Sequence, residues 1–271
     1  MSYVASLHIY PVKSLDGIAV SQATILASGA LEGDRSLAIC NEAGELVNTK
    51  RNSGVNFLRL SFDIKKRIAG LKIQDTEQVF FFHVDKERPR IESWLSNYFG
   101  FPVKLIENLL TGFPQDTPAP GPSIISTETI AEVASWFPRV CVNEMRHRLR
   151  ANIEIGDVPA FWEDQLFPQA DEIVRFKIGT VIFEGINPGQ PCLLSTRNYA
   201  AKETYPNFKK ILRAKQNQIM PDLVKRGHFN HFSRLIVKTR VPPQAAEKIV
   251  HIGDEVQILG VSKSLFNTIA D

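Results

Sequence analysis

The chain has 271 residues, 44% of them hydrophobic and 23% charged, with a formal net charge of +3. This is the make-up of a folded protein with room for one large or two modest cores. The small net charge excludes a protein that coats nucleic acid or a membrane by bulk charge, while leaving space for a local basic pocket.

The start, Met-Ser-Tyr-Val-Ala-Ser-Leu-His8, lacks the basic, apolar and small-residue order of a secretion signal. No apolar run is long enough to cross a bilayer. Neither a nucleic acid nor a membrane is therefore expected as a partner. Cys40, Cys141 and Cys192 are far apart and odd in number. They predict free thiols in a reducing, cytoplasmic setting and exclude an iron–sulfur cluster held by four cysteines of this chain.

In chain order, Tyr3–Tyr10 and Ile18–Ala27 read as strands. The turn Ser28-Gly-Ala-Leu-Glu-Gly-Asp-Arg35 follows, with glycines where positive φ is cheap. Ser36–Cys40 is a strand, and Asn41-Glu-Ala-Gly44 a hairpin-type turn leading to Leu46–Thr49. Phe57–Ile64, Ala69–Ile73 and Val79–Val84 alternate as strands. Ile91, Leu95 and Tyr98 share a helical face that Gly100 stops. Gly112, Pro114, Pro118, Pro120, Gly121 and Pro122 mark a loop or an inter-domain crossing. The spacing predicts a helix capped by Ser126, with Thr129 in the capping-box place, ending before Pro138. Such a hydroxyl-rich helix start is also a ready anion site. A short helical or irregular piece over Val142–Arg148, a strand over Arg150–Ile155 and a helical turn over Phe161–Phe167 are expected next. Strands at Glu172–Ile178 and Val181–Ile186 join at Gly179-Thr180. Helical pieces at Pro206–Lys215 and Met220–Arg226 precede closing strands at Phe232–Thr239 and Glu255–Leu259. Many short strands with scattered helices predict a β-rich, barrel-like α+β fold, not a doubly wound parallel sheet.

Asn187-Pro-Gly-Gln-Pro-Cys-Leu-Leu-Ser-Thr-Arg-Asn198 ends a strand and exposes one cysteine beside Ser195, Thr196 and Arg197. A soft thiolate next to hydroxyls and a guanidinium suits a metal-bearing, phosphate-carrying group. A buried core thiol is the plainer reading of Cys192. Arg146, Arg148 and Arg150 alternate; on an extended chain they share a face, with Asn152 on the same parity, and either face solvent or surround an anion. Lys13-Ser14, Gly33-Asp34-Arg35 and Lys50-Arg51 are polar turns or basic pairs that sit most simply at the surface. His228 and His231 lack supporting ligands and read as packing residues.

Taken together these pieces resemble the MOSC-domain proteins, named for the C-terminal domain of molybdenum cofactor sulfurase. Tyr10-Pro-Val-Lys-Ser14, Gly29-Ala-Leu-Glu-Gly-Asp-Arg35 and Val47-Asn-Thr-Lys-Arg51 resemble the β-barrel domain that precedes the MOSC domain in many members. Arg148-Leu-Arg-Ala-Asn152, Glu163-Asp164, Ile178-Gly-Thr-Val181, Pro191-Cys-Leu-Leu-Ser-Thr-Arg197, Gly227-His-Phe-Asn-His-Phe232 and Ile252-Gly-Asp254 resemble the MOSC core in order.

The resemblance implies two β-barrel-like domains, an N-terminal one over 1–108 and a MOSC domain over 109–265. Similarity to the mitochondrial amidoxime-reducing component implies a molybdenum–pterin cofactor, with Cys192 as catalytic residue and molybdenum ligand. Lys13, Ser14, Arg35, Arg51, Ser126, Arg148, Arg150, Asn152, Thr196 and Arg197 are then the cofactor-binding candidates. The family also carries pyridoxal phosphate binding as an implied property. The implied activity is reduction of a small N-hydroxylated or related N–O substrate, with electrons from a separate donor protein. Two positions and one segment depart from the family pattern: Pro191 replaces arginine, Ala151 replaces proline, and Tyr199-Ala-Ala-Lys-Glu203 replaces an acidic and Thr-Gly signature. Two other readings stay open: a sulfur carrier or cofactor-handling protein with a persulfide on Cys192, and an anion-binding module without catalysis.

Overall fold

Short alternating runs separated by glycine and proline turns cannot bury themselves alone, so they fold by pairing with distant partners. In the computed structural model, residues 1–49, 51–114, 120–166, 172–189, 207–219 and 235–263 are described, without the side chains of 187–189, 209, 217, 219 and 263. The elements run β1 (Tyr3–Ile9), β2 (Ile18–Val20), β3 (Gln22–Thr24), β4 (Leu37–Asn41), β5 (Leu58–Asp63), β6 (Ile68–Ile73), β7 (Val79–His83), α1 (Arg88–Phe99) and β8 (Val103–Glu107). They continue with β9 (Ile124–Ser126), α2 (Thr127–Ser135), α3 (Val142–Leu149), β10 (Ile153–Gly156), β11 (Glu172–Ile178), β12 (Val181–Gly189), α4 (Phe208–Ile219), β13 (Ile236–Arg240), β14 (Ile249–His251) and β15 (Val256–Lys263). The fold is a β-rich α+β fold.

The chain divides into two compact units, one of Met1–Leu7, Ser21–Ala30 and Asp116–Asp271, the other of His8–Val20 and Leu31–Gln115. In the first, strands follow the order β15-β11-β12-β13-β9-β10-β1. All neighbours pair antiparallel except β9 and β10, which are parallel. Val256 donates to the carbonyl of Ser2, and an isolated bridge joins Tyr3 to Glu255. β3 and β14 form a separate antiparallel pair. Ile125, Ile130, Val133, Phe137, Met145 and Leu212 build a core under α2, α3 and α4. Gly185 of β12 lies so close to the 3-10 turn Trp162–Leu166 that a Cβ there would stand 1.5 Å from the Leu166 carbonyl oxygen.

In the second unit, β5-β6-β7 is an antiparallel meander, and β4 pairs antiparallel with β8. The inward residues of the meander, Leu58, Leu60, Ala69, Leu71 and Phe82, meet Ile91 and Leu95 of α1 in one apolar core. Pro89 sits in the first turn of α1, where its missing N–H costs nothing, so the helix starts ahead of the expected Ile91. Gly100 ends it in the left-handed conformation, donating to the Ser96 carbonyl.

Two expected elements change, and with them the reading of the arginine pattern. Ile18–Ala27 is two short strands broken at Ser21. Arg150 is not in a strand: it caps α3 at φ 58°, and β10 begins only at Ile153. Arg146 and Arg148 lie on helical α3, where two residues are separated by about 200°, so the three arginines do not share an extended face. Two of them find a carboxylate instead, Arg146 on Glu154 and Arg148 on Glu144. Strands β8, β9 and β14 are additions to the expected set. Met220–Arg226, His228 and His231 lie outside the described residues.

Candidate functional site

The described candidates fall in both units, Lys13, Ser14, Arg35 and Arg51 in one and Ser126, Arg148, Arg150 and Asn152 in the other. The first cluster grows from the end of β1. Val12 forms a parallel bridge with Leu37, whose carbonyl accepts from the Lys13 amide and whose amide donates to Pro11. Val12 and Leu15 thereby enter the core, and Lys13 between them is half-buried. Its ammonium donates to the carbonyls of Phe113 and Pro114, at 2.9 and 3.0 Å. Ser14 next to it takes φ 71°.

Asp34 and Arg35 reach the same place from another turn. The Tyr10 amide donates to Asp34 Oδ1 at 2.8 Å, and the Arg35 amide donates to the Tyr10 carbonyl. The Arg35 guanidinium pairs with the Asp34 carboxylate and lies 5.0 Å from the centre of the Tyr10 ring. The Phe113 amide donates to the Arg35 carbonyl. Lys13 and Arg35 therefore hold opposite polar groups of one residue, Phe113. Gly112 is required for this approach: at φ 61° its missing Cβ would stand 2.6 Å from the Asp34 carbonyl oxygen. Arg51 is exposed and pairs with Glu45 at 2.7 Å.

The second cluster lies around α2, α3 and the start of β10. Asn152 Oδ1 accepts from both the amide and the hydroxyl of Ser123, and the Asn152 amide donates back to the Ser123 carbonyl. This clamp aligns β9 beside β10. Arg150 and Asn152 are both buried, flanking Ala151. Arg148 is 1% exposed, its guanidinium on Glu144 one helical turn earlier.

Ser126 caps α2 as expected, accepting the Thr129 amide at 3.1 Å. It is fully buried, and its hydroxyl sits 2.7 Å from the Thr129 hydroxyl. Thr129 in turn donates to Glu163 Oε2 at 3.0 Å. Burial pushes the Glu163 carboxyl up to about 6, against the opposing pull of the polar groups beside it, chiefly its own amide, the Thr129 hydroxyl and Ser126.

Cys192, Thr196 and Arg197 lie outside the described residues. Among the described ones, the structure gathers Lys13 with Arg35, and Arg150 with Asn152. Sequence reasoning missed the partners that shape these groups: Asp34 for Arg35, Ser123 for Asn152, and Glu163 for Thr129. Glu163-Asp164 was visible only as part of a family pattern, and nothing local ties Ser123 to a residue so far along the chain. No helix among the described residues is long and apolar enough to cross a membrane.

No curated protein matches the chain. A crystal structure of the YUAD protein from Bacillus subtilis is similar at 13% identity over 97% of each chain, with a TM-score of 0.37. The sequence profile of the MOSC N-terminal beta barrel domain matches residues 1–94.

Proposed function

We propose that this protein binds a molybdenum–pterin cofactor and reduces N-hydroxylated or related N–O compounds, taking electrons from a separate donor protein. The observation that carries the reading is the meeting of Lys13 and Arg35 at Phe113, within a unit that holds much of the matched domain. The donor chemistry of the described residues fits the anionic part of such a group. A phosphate tail calls for charge-assisted N–H donors, a chemistry that Lys13, Arg35 and Arg150 carry. Arg35, Arg148 and Arg51 each pair with a carboxylate, of Asp34, Glu144 and Glu45 in turn, which an incoming anion would have to displace. Cys192 is the proposed molybdenum ligand, with Thr196 and Arg197 beside it in sequence.

When bound, the cofactor would supply two-electron redox chemistry. The protein's part is to hold its anionic end, supply one thiolate and orient the substrate. Reduction of an N–OH group to N–H uses two electrons and two protons and releases water, so a proton path is also required. The proposed arrangement assigns 1–108 to the N-terminal barrel and 109–265 to a MOSC barrel, in a cytoplasmic protein.

The test uses protein made in a host that synthesises the cofactor, given a reduced viologen dye and a hydroxylamine-type substrate under anaerobic conditions. The expected result is formation of the parent amine with oxidation of the dye. No turnover, together with extra sulfur on Cys192 by mass spectrometry, would instead make the protein a sulfur carrier.

A further inference from the structure

Glu163 is 1% exposed, and its Oε1 has no hydrogen-bond partner among the described residues. Its other oxygen closes a buried chain. The Thr129 hydroxyl accepts from the Phe161 amide at 2.6 Å and spends its single proton on Glu163 Oε2. The Ser126 hydroxyl must then donate to Thr129, because Thr129 has no second proton to give. One carboxyl thus connects the 3-10 turn Trp162–Leu166 to the first turn of α2. Phe161 adds to the seat: it takes φ 63°, and its ring stacks on Trp136 with centroids 6.0 Å apart.

We propose that Glu163 is a proton-operated latch, which when uncharged seats the turn at 162–166 firmly on the start of α2 and when ionised loosens it. A proton on Oε1 leaves the Thr129 bond to Oε2 intact and removes a buried negative charge. Loss of that proton keeps the acceptor but strands the charge away from water. The helix start and the hydroxyls offset only part of that cost.

The charged groups on the elements packed around the turn do not replace water for it. Asp164 on the same turn, Glu128 and Glu132 on α2, Glu172 on β11 and Glu184 on β12 are all acidic. Glu128 is exposed and Glu132 binds the Trp136 indole. Of the cations, Arg175 on β11 and Arg240 on β13 are held by Glu184. Lys177 on β11 and Lys238 on β13 are half-buried, and burial, with no neighbouring charge, dominates the Glu163 carboxyl.

The sign follows from linkage. The carboxyl binds its proton more tightly in the closed state, about 6 against an ordinary 4.5. Its stabilising contribution is therefore complete below the ordinary value and is lost as pH rises through about 6. Opening of the turn should grow with pH across that window.

Hydrogen exchange of the Phe161 and Thr129 amides, corrected for the intrinsic pH dependence of exchange, reads this directly. In the wild type, protection should fall roughly 30-fold between about pH 4 and about pH 8. Glu163→Gln, which cannot ionise, should show no such fall and should be the better protected protein at neutral pH. Thr129→Ser, which keeps the hydroxyl, should retain the wild-type profile. A flat wild-type profile overturns the latch even if neither variant folds, and so does an equal fall in Glu163→Gln. Cofactor content does not enter this measurement, so the latch stands or falls apart from the proposed activity.

Discussion

Gly185→Ala should destabilise the protein by about 3 kcal/mol or more. Gly185 lies inside the sheet, opposite Val174 of β11 and Thr239 of β13. A Cβ there would stand 1.5 Å from the Leu166 carbonyl oxygen and 2.7 Å from its carbonyl carbon. Both obstacles are backbone, and Leu166 itself is fully buried, so relief requires moving the turn bodily off β12. Gly70→Ala makes the contrast. Its Cβ would meet Ser61 Oγ at 2.4 Å and the Phe81 ring at 2.8 Å, but Phe81 is exposed and both side chains can swing away. That change should cost about 1 kcal/mol. Urea unfolding of the two variants beside the wild type measures both. Equal midpoints for the two variants would contradict the close packing of the turn on β12.

Cys192→Ala should lower reduction of a hydroxylamine-type substrate by at least about a hundredfold, since losing a metal's direct ligand is no milder than losing an outer support. The other cysteines provide controls. Cys40 is buried in β4, and burial pushes its thiol up, away from the reactive thiolate form. Cys141 is exposed at the start of α3, where its Sγ accepts the Glu144 amide at 3.5 Å. Cys141→Ser should therefore leave turnover unchanged. A Cys192→Ala protein as active as the wild type would remove the thiolate from the proposal.

What could be read from the sequence was local. The alternation of Leu58, Leu60 and Phe62 marked a strand, Gly100 marked a helix stop, and Ser126 with Thr129 marked a helix start; each lies within a few residues of its cause. Strand β8 alternates too, with Val103 and Leu105 inward, yet it was masked by the proline-rich stretch that follows. Pairings between distant segments left no such mark. β1 lies against β10 with Tyr3 opposite Gly156, and β3 against β14 with Ala23 opposite Val250, because sheet register is set by tertiary packing.

The candidate residues follow the same division. Lys13 and Arg35 stood out as basic residues at turns, but their convergence depends on Phe113, brought in by a loop whose Gly112 permits the approach. The arginine pattern at 146, 148 and 150 misled because alternation says nothing about face once the chain is helical. Glu144 and Glu154, which neutralise two of those arginines, lie close in sequence and were overlooked.

Molybdenum content per chain, measured by elemental analysis with extraction of any pterin from protein purified from a cofactor-producing host, tests the central claim most directly. The expected value is near one molybdenum per chain for the wild type. Wild-type protein free of both molybdenum and pterin under those conditions would contradict the account.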